Sequence, residues 1–392
     1  MAEHPRDVAI VAYAQTQFGR RTGRSPFSIA AELLESILER TGLDKRDIDG
    51  LAIGSSYHEV DNAFWSNFVA DYTGLSVTWL QTSDLGGAMH LSLLDRACAA
   101  IRCGQCETVL LLGADTQIEE MELPLRHGGY RGEWERVQGL PGPPGEFGLI
   151  LNRYRHLYDL DPSALAKIAI TQRDGAVNNP DACETFRKPL TAEQYFASKM
   201  IADPIRLLDC VMPCDGGGAL LITSAGVAGA RGWAKRVYPV AYAERTNINA
   251  DDPLADVLNT GFAEVGPRAL RTAGLRPGDV RMFFPYDDFT IAVILQLEEI
   301  GFCKRGEGSR FVLETDLSHT GALPLNPGGG MLSMGQPGFT AGLVNLVEAV
   351  TQMFGEAGPR QVPQPENALV TGIGMIPLLR NFGTTNAMVL ER

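Results

Sequence analysis

Two stretches far apart in the chain share one pattern of apolar and polar positions. Residues 32–53, ELLESILERTGLDKRDIDGLAI, predict an amphipathic helix stopped by a glycine, then a turn and a β-run entering a core. Residues 265–285, VGPRALRTAGLRPGDVRMFFP, predict the same three pieces, with Gly42 aligned to Gly274 and Asp47 to Asp279 at a common offset. The match continues downstream. DLGGAMHLSLLDRACAAIRCG (84–104) and GGGMLSMGQPGFTAGLVNLVEAV (328–350) each place a glycine-rich turn before an apolar helix. Buried strands follow, ETVLLLGAD (107–115) and ALVTGIGM (368–375), and a further apolar strand closes each copy, GGALLITSA (217–225) and NAMVLER (386–392). The chain reads as two copies of one strand–helix–strand–helix–strand–strand unit, with halves at 1–230 and 231–392. The first copy carries an insertion at about 117–205, rich in Gly, Pro, Arg and aromatics, which reads as a cap over a site.

Composition narrows the class. A length of 392 residues suits two domains, and 43 glycines with 23 prolines imply many tight turns between short elements, so a layered α/β protein is favoured over a helical bundle. Lys and Arg total 34 against 47 Asp and Glu, and the net charge of −13 argues against a nucleic-acid function. A polyanionic ligand then needs a local basic patch, on this chain or on a partner. The seven cysteines are odd in number and fall mostly in apolar runs, which predicts a reducing cytoplasm. The start MAEHPRDVAIVAY lacks a secretory pattern and no long uncharged apolar run follows, so no membrane span is expected. Cys103 and Cys106 form a C-G-Q-C pair without a second pair at zinc-ribbon spacing, and packing is the expectation; no metal is implied. No G-x-G-x-x-G follows the first strand, which disfavours a nicotinamide cofactor.

Several segments together resemble the thiolase superfamily, in particular its sterol-carrier-protein-x-type branch: VAIVAYAQTQFGR (8–20), AIRCGQCETVLLLGAD (100–115), IRLLDCVMPCDGGGALLITS (205–224) and LPLNPGGGMLSMGQPGFTAG (323–342). The resemblance covers nearly the whole chain. It implies a thiolase fold, two duplicated βαβαβαββ halves in a layered αβαβα arrangement with a cap insertion, a homodimer, and a CoA thioester as substrate with no cofactor bound. A thiolase needs a cysteine at the turn opening the first Gly-Gly helix, because the helix N-terminus stabilises the attacking thiolate. Aligning on Gly86 and Gly87 puts Ser83 at that place, with no base beside it in sequence. Gly335-Gln336-Pro337 stands where thiolases have G-H-P, and Tyr286-Asp287-Asp288-Phe289 where the sterol-carrier type has H-D-C-F. These three departures remove the covalent acyl-enzyme and leave the scaffold.

The segment YDDFTIAVILQLEEIGFC (286–303) is most similar to the thiolase-fold retro-aldolases that shorten steroid side chains. That likeness implies cleavage of a β-hydroxyacyl-CoA to a ketone or aldehyde plus a shorter acyl-CoA, with a small partner subunit carrying a zinc ribbon and an OB-fold. Those aldolases have a second tyrosine at about the position of Gln336. A retro-aldol step needs a base for the β-hydroxyl proton, donors for the developing enolate, and a way to protonate it. Tyr286 is the first candidate as base or acid. Asp287 or Asp288 orients Tyr286 or acts directly, while Asp288 is equally suited to cap a helix starting near Phe289. Gln336 can donate to an enolate oxygen or a water. His319 reaches the cleft or bonds loop backbone, and His90 faces the cleft or packs. His4, His58, His127 and His156 default to the surface. Gly86, Gly87, Gly329 and Gly330 let backbone approach a thioester or let helices pack closely. Two other readings stand beside the aldolase: a thiolase or acyltransferase completed by a partner subunit, and a non-catalytic scaffold subunit.

Overall fold

The apolar runs pair into two sheets. In the computed structural model, which describes residues 6–116, 135–140, 142–252, 254–375 and 382–392, the first sheet has the order β1-β7-β4-β2-β3. Its strands are β1 (Val8–Gln15), β2 (Gly50–Gly54), β3 (Trp79–Ser83), β4 (Thr108–Thr116) and β7 (Asp215–Ser224). β2 runs parallel to β3 and β4, whereas β7 is antiparallel to β1 and β4. The second sheet has the order β8-β11-β10-β9, from β8 (Tyr238–Thr246), β9 (Phe283–Phe284), β10 (Asn367–Ile373) and β11 (Thr384–Glu391). A lone bridge between Phe283 and Leu325 continues it where the first sheet has its fifth strand.

The same local chemistry shapes both copies. Helix α1 (Pro26–Thr41) is capped by the Ser25 hydroxyl and ends at Gly42 with φ 70°. The turn that follows is closed by Asp47, which accepts from the Asp44 amide at 2.9 Å; in the second copy Gly274 has φ 71° and Asp279 accepts from the Arg276 amide at 2.9 Å. Helices α2 (Trp65–Thr73) and α3 (Met89–Arg102) complete the first half. Its full order is therefore βαβαβαββ, one β–α pair more than the sequence pattern shows. Strand β3 was invisible there because it is an edge strand with alternating half-buried and exposed positions, not an apolar run.

The described part of the insertion is helical, with α4 (Pro143–Leu157), α5 (Pro162–Val177) and α6 (Ala192–Ala197), then a short hairpin, β5 (Met200–Ala202) with β6 (Ile205–Arg206). The stretch LPLRHGGYRGEW with His127, and His4 at the start, lie outside the described residues. Later helices are α7 (Ala225–Ala230), α8 (Phe262–Thr272), α9 (Thr290–Ile300), α10 (Gly308–Glu314), α11 (Gly330–Met334) and α12 (Ala341–Met353). Every residue of α12 is buried, including the polar Asn345, Glu348, Thr351 and Gln352. α12 and α3 share one core with the inner faces of both sheets, including Ile10, Leu111, Phe284 and Met388. α1 packs on the outer face of the first sheet, and α8, α9 and the insertion share a third core on the second. The layers run α, β, α, β, α. No helix among the described residues is long and apolar enough to cross a membrane.

Candidate functional site

The two central helices bring their glycine-rich openings together. Tyr286 leaves β9 through Pro285, and its backbone is pinned from two sides: its amide donates to Thr371 Oγ1 at 2.9 Å, and Gln296 Nε2 donates to its carbonyl at 2.8 Å. Asn345 on α12 donates to Pro285 O at 2.7 Å. The fixed backbone drives the buried phenol across the opening of α3. A Cβ built on Gly87 would lie 2.1 Å from both Cζ and the hydroxyl oxygen of Tyr286, so only glycine fits beneath it. Gly86 has φ 55° and meets Gly374 O at 2.5 Å by the same measure.

The Gln336 side chain lies beside the Tyr286 hydroxyl, close enough to favour its ionised form slightly. Gln336 sits on a turn locked to the segment 212–214, its amide donating to Met212 O at 2.9 Å and its carbonyl accepting from the Cys214 amide at 3.0 Å. Burial pushes the phenol well above its ordinary range, Asp288 and Asp287 push it further, and the Gln336 contact offsets only part of this. At neutral pH the Tyr286 phenol stays protonated.

The adjacent carboxyls have different fates. Asp287 is fully buried and accepts from the Met331 amide, the Leu332 amide and Asn345 Nδ2, each at 3.1 Å. It caps α11, and a Cβ on Gly330 would fall 2.2 Å from its Oδ2. Asp288 does not cap α9, whose N-cap is Phe289 without a side-chain bond. Its Oδ1 is enclosed and has no hydrogen-bond partner among the described residues. Burial, and then Asp287, raise it well above the usual carboxylate range. Of the two, Asp287 is the one whose carboxyl is committed to the amides of α11 and to Asn345.

Among the described residues, no hydrogen bond joins Ser83, His319 or His90 to this group. Ser83 ends β3, its carbonyl accepting from the Ser55 amide at 3.1 Å, and among the described residues no hydrogen bond joins it to Tyr286 or Gln336. The position at which an added Cβ would meet the Tyr286 hydroxyl is 87. His319 is half-buried in a loop beside Asp316. His90 packs, fully buried, where Cβ atoms on Gly54 and Gly113 would fall 3.0 Å and 2.6 Å from its Nε2, and burial drives it down to about 3, so it stays neutral. His58 Nδ1 shares a 2.8 Å hydrogen bond with Thr116 Oγ1. Gly329 packs against Ala176 of the insertion, where a Cβ would lie 2.8 Å from the Ala176 Cβ. The brackets Gln296, Thr371 and Asn345 carry no sequence signal beyond being polar residues in apolar runs.

Asp287 also predicts a pH dependence. Burial outweighs its donors and lifts it from 3.8 to about 6. A carboxyl raised by folding contributes fully below its unfolded value, and the contribution is lost as pH rises through the folded one. Relative to Asp287→Asn, which cannot titrate there, the native protein is expected to lose roughly 3 kcal/mol of stability between about pH 4 and 6. Urea midpoints of the two proteins across that range check this; parallel curves would refute it.

Comparison with known proteins accords with this geometry. The thiolase C-terminal domain-like family matches residues 243–383. An acetyl-CoA acetyltransferase of Methanothermobacter thermautotrophicus is 29% identical over 377 residues, covering 94% of this chain and 96% of that protein. A 17-hydroxy-3-oxo-4-pregnene-20-carboxyl-CoA lyase of Mycobacterium tuberculosis is 29% identical over 386 residues, covering 94% and 97%. Among solved structures, the Ltp2-ChsH2(DUF35) aldolase superposes with a TM-score of 0.82 at 26% identity over 99% of this chain and 98% of that one. With two pseudo-equivalent sheets, paired central helices and these relatives, the chain resembles the thiolase superfamily over nearly its whole length, with a thiolase C-terminal domain-like segment at 243–383 and steroid side-chain aldolases among the proteins it is similar to.

Proposed function

We propose that the chain is a carbon–carbon lyase that cleaves a β-hydroxyacyl-CoA by a retro-aldol reaction. The observation that carries this reading is the Tyr286 hydroxyl lying over Gly87, in the space at the opening of α3 where an acyl-accepting side chain would stand. Cys214, beside the Gln336 turn, offers no substitute, because burial raises its thiol well above the usual range and keeps it protonated. In the proposed step the ionised form of Asp288 takes the β-hydroxyl proton, and the hydroxyl oxygen becomes a carbonyl. The Cα–Cβ bond breaks, and its electron pair moves into a thioester enolate. Tyr286, with Gln336 beside it, gives its phenolic proton to Cα of that enolate, and the proton taken up by Asp288 returns to the phenolate, which restores the site. A steroid side-chain thioester is the substrate class that the name of the mycobacterial lyase supports.

A small zinc-ribbon and OB-fold subunit is proposed as partner, supported by the second component in the name of the Ltp2-ChsH2(DUF35) aldolase. It would supply the basic surface that a chain of net charge −13 needs for CoA. A homodimer is proposed through the β3 edge, where Val60, Phe64, Phe68, Tyr72 and Leu80 are exposed. All seven cysteines are free, which fits a reducing cytoplasm. The acyltransferase reading rests on the archaeal relative's name. Purified protein, alone and with its partner, is to be offered β-hydroxyacyl-CoA and β-ketoacyl-CoA, with sedimentation of the same samples giving the oligomeric state. Release of a ketone or aldehyde from the hydroxy substrate is expected; turnover of only the keto substrate would sink the lyase reading, and a monomer would sink the dimer.

A further inference from the structure

We propose that Asp115 is a positioning residue that sets Gln336 against the Tyr286 hydroxyl. The inference rests on the reading of Gln336 and Tyr286 given above.

Asp115 ends β4 and is fully buried, yet its carboxylate has no cationic partner among the hydrogen bonds it makes. Instead it gathers five donors from three segments. Oδ1 accepts from Ser56 Oγ at 2.9 Å, the His58 amide at 3.1 Å and the Thr116 amide at 2.9 Å. Oδ2 accepts from the Tyr57 amide at 2.7 Å and the Phe339 amide at 2.9 Å. Phe339 lies three residues beyond Gln336, in the turn Gly338–Thr340 that leads into α12. The turn lies flat on the carboxylate because position 338 is glycine with φ 49°, and a Cβ there would fall 2.0 Å from Oδ2. The Tyr57 and Phe339 rings close the outer side edge to face, with centroids 5.2 Å apart.

Gln336 is thus held at both ends, by the segment 212–214 before it and by Asp115 after it. A carboxylate offers acceptors to donors on both sides at once, which an amide cannot do. In Asp115→Asn the amide oxygen best serves the three donors on the Oδ1 side. The NH2 then faces the Tyr57 and Phe339 amides, donor against donor, and frees the turn. Gly338→Ala frees it from the other direction, with Asp115 intact.

Both variants are expected to lower kcat by on the order of 10²-fold, the effect of an ångström-scale misplacement, with KM within about threefold of native. The loss should vanish in a Gln336→Ala background, where there is no amide left to misplace. A loss of full size on top of Gln336→Ala, or native kcat in both variants, overturns the proposal, and Gly338→Ala decides it if Asp115→Asn does not fold. If Gln336→Ala itself leaves kcat untouched, the proton-handling role of Gln336 fails separately. The positioning claim is then read from the side-chain amide signal of Gln336 in ¹⁵N-glutamine-labelled protein, assigned by its loss in Gln336→Ala. That signal is expected to move in Asp115→Asn and Gly338→Ala, and an unmoved signal overturns the claim.

Discussion

Replacing Tyr286 by phenylalanine is expected to cut kcat for β-hydroxyacyl-CoA cleavage by about 10²- to 10⁴-fold, the usual span for a positioned proton donor, with little change in the fold. The ring would stay where it is, because the backbone of Tyr286 is held by Thr371 and Gln296 and not through the hydroxyl. Only the proton is removed. The substitution therefore separates donation from packing. If Tyr286→Phe turned over substrate within threefold of native, the donor would have to be another group. Because burial and the two neighbouring carboxyls keep the phenol protonated, the donor form should persist to well above neutral pH, and no loss of activity between pH 7 and 9 should trace to Tyr286.

Gly87→Ala is expected to be the most damaging single change in the site. The added carbon would sit 2.1 Å from Cζ and the hydroxyl oxygen and 2.2 Å from Cε2 of Tyr286. A phenol walled in by its own backbone contacts cannot give way without moving Pro285 and the brackets behind it. Overpacking of this kind costs roughly 1–3 kcal/mol, and pushing the hydroxyl off its place by an ångström costs about 10²-fold in kcat. Tyr286→Phe should not relieve the clash, because two of the three offending atoms belong to the ring itself. Tyr286→Ala should relieve it, so the double variant Gly87→Ala/Tyr286→Ala is expected to melt above Gly87→Ala while remaining inactive. A Gly87→Ala protein with native melting temperature and kcat would show that the phenol can move aside.

Where the sequence was informative, the reason is local chemistry. The glycines at 42 and 274 and the aspartates at 47 and 279 reveal the duplication because a left-handed residue and a carboxylate closing its own turn need nothing from the rest of the chain. The edge strand Trp79–Ser83 escaped notice because only one of its sides meets the core, so it lacks an apolar run. The partner of Tyr286 could not be read along the chain. Position 87 is the second glycine of the pair and 83 lies three residues before its first, and which of them comes under the phenol depends on how Gly86 turns beside Gly374, a contact made across the two halves. Asp287 and Asp288 are chemically identical neighbours. What divides them is that one meets the amides of α11 and Asn345, while the other keeps an enclosed Oδ1 without a hydrogen-bond partner among the described residues. Asp115 looked like the last residue of a strand because its five donors come from segments on either side of it and from the far half.

The two helices at the centre, of which α12 is buried throughout, bear on how the chain acquires its shape. A Cβ on Gly342 of α12 would lie 2.1 Å from Gly87 O, so the two halves touch backbone to backbone at the very place where Tyr286 works. During synthesis the first half emerges with the apolar flank of α3 uncovered, since its cover, α12, is among the last elements made. That surface has to be kept from other chains until the second half arrives, and the pocket comes into being only at that final docking.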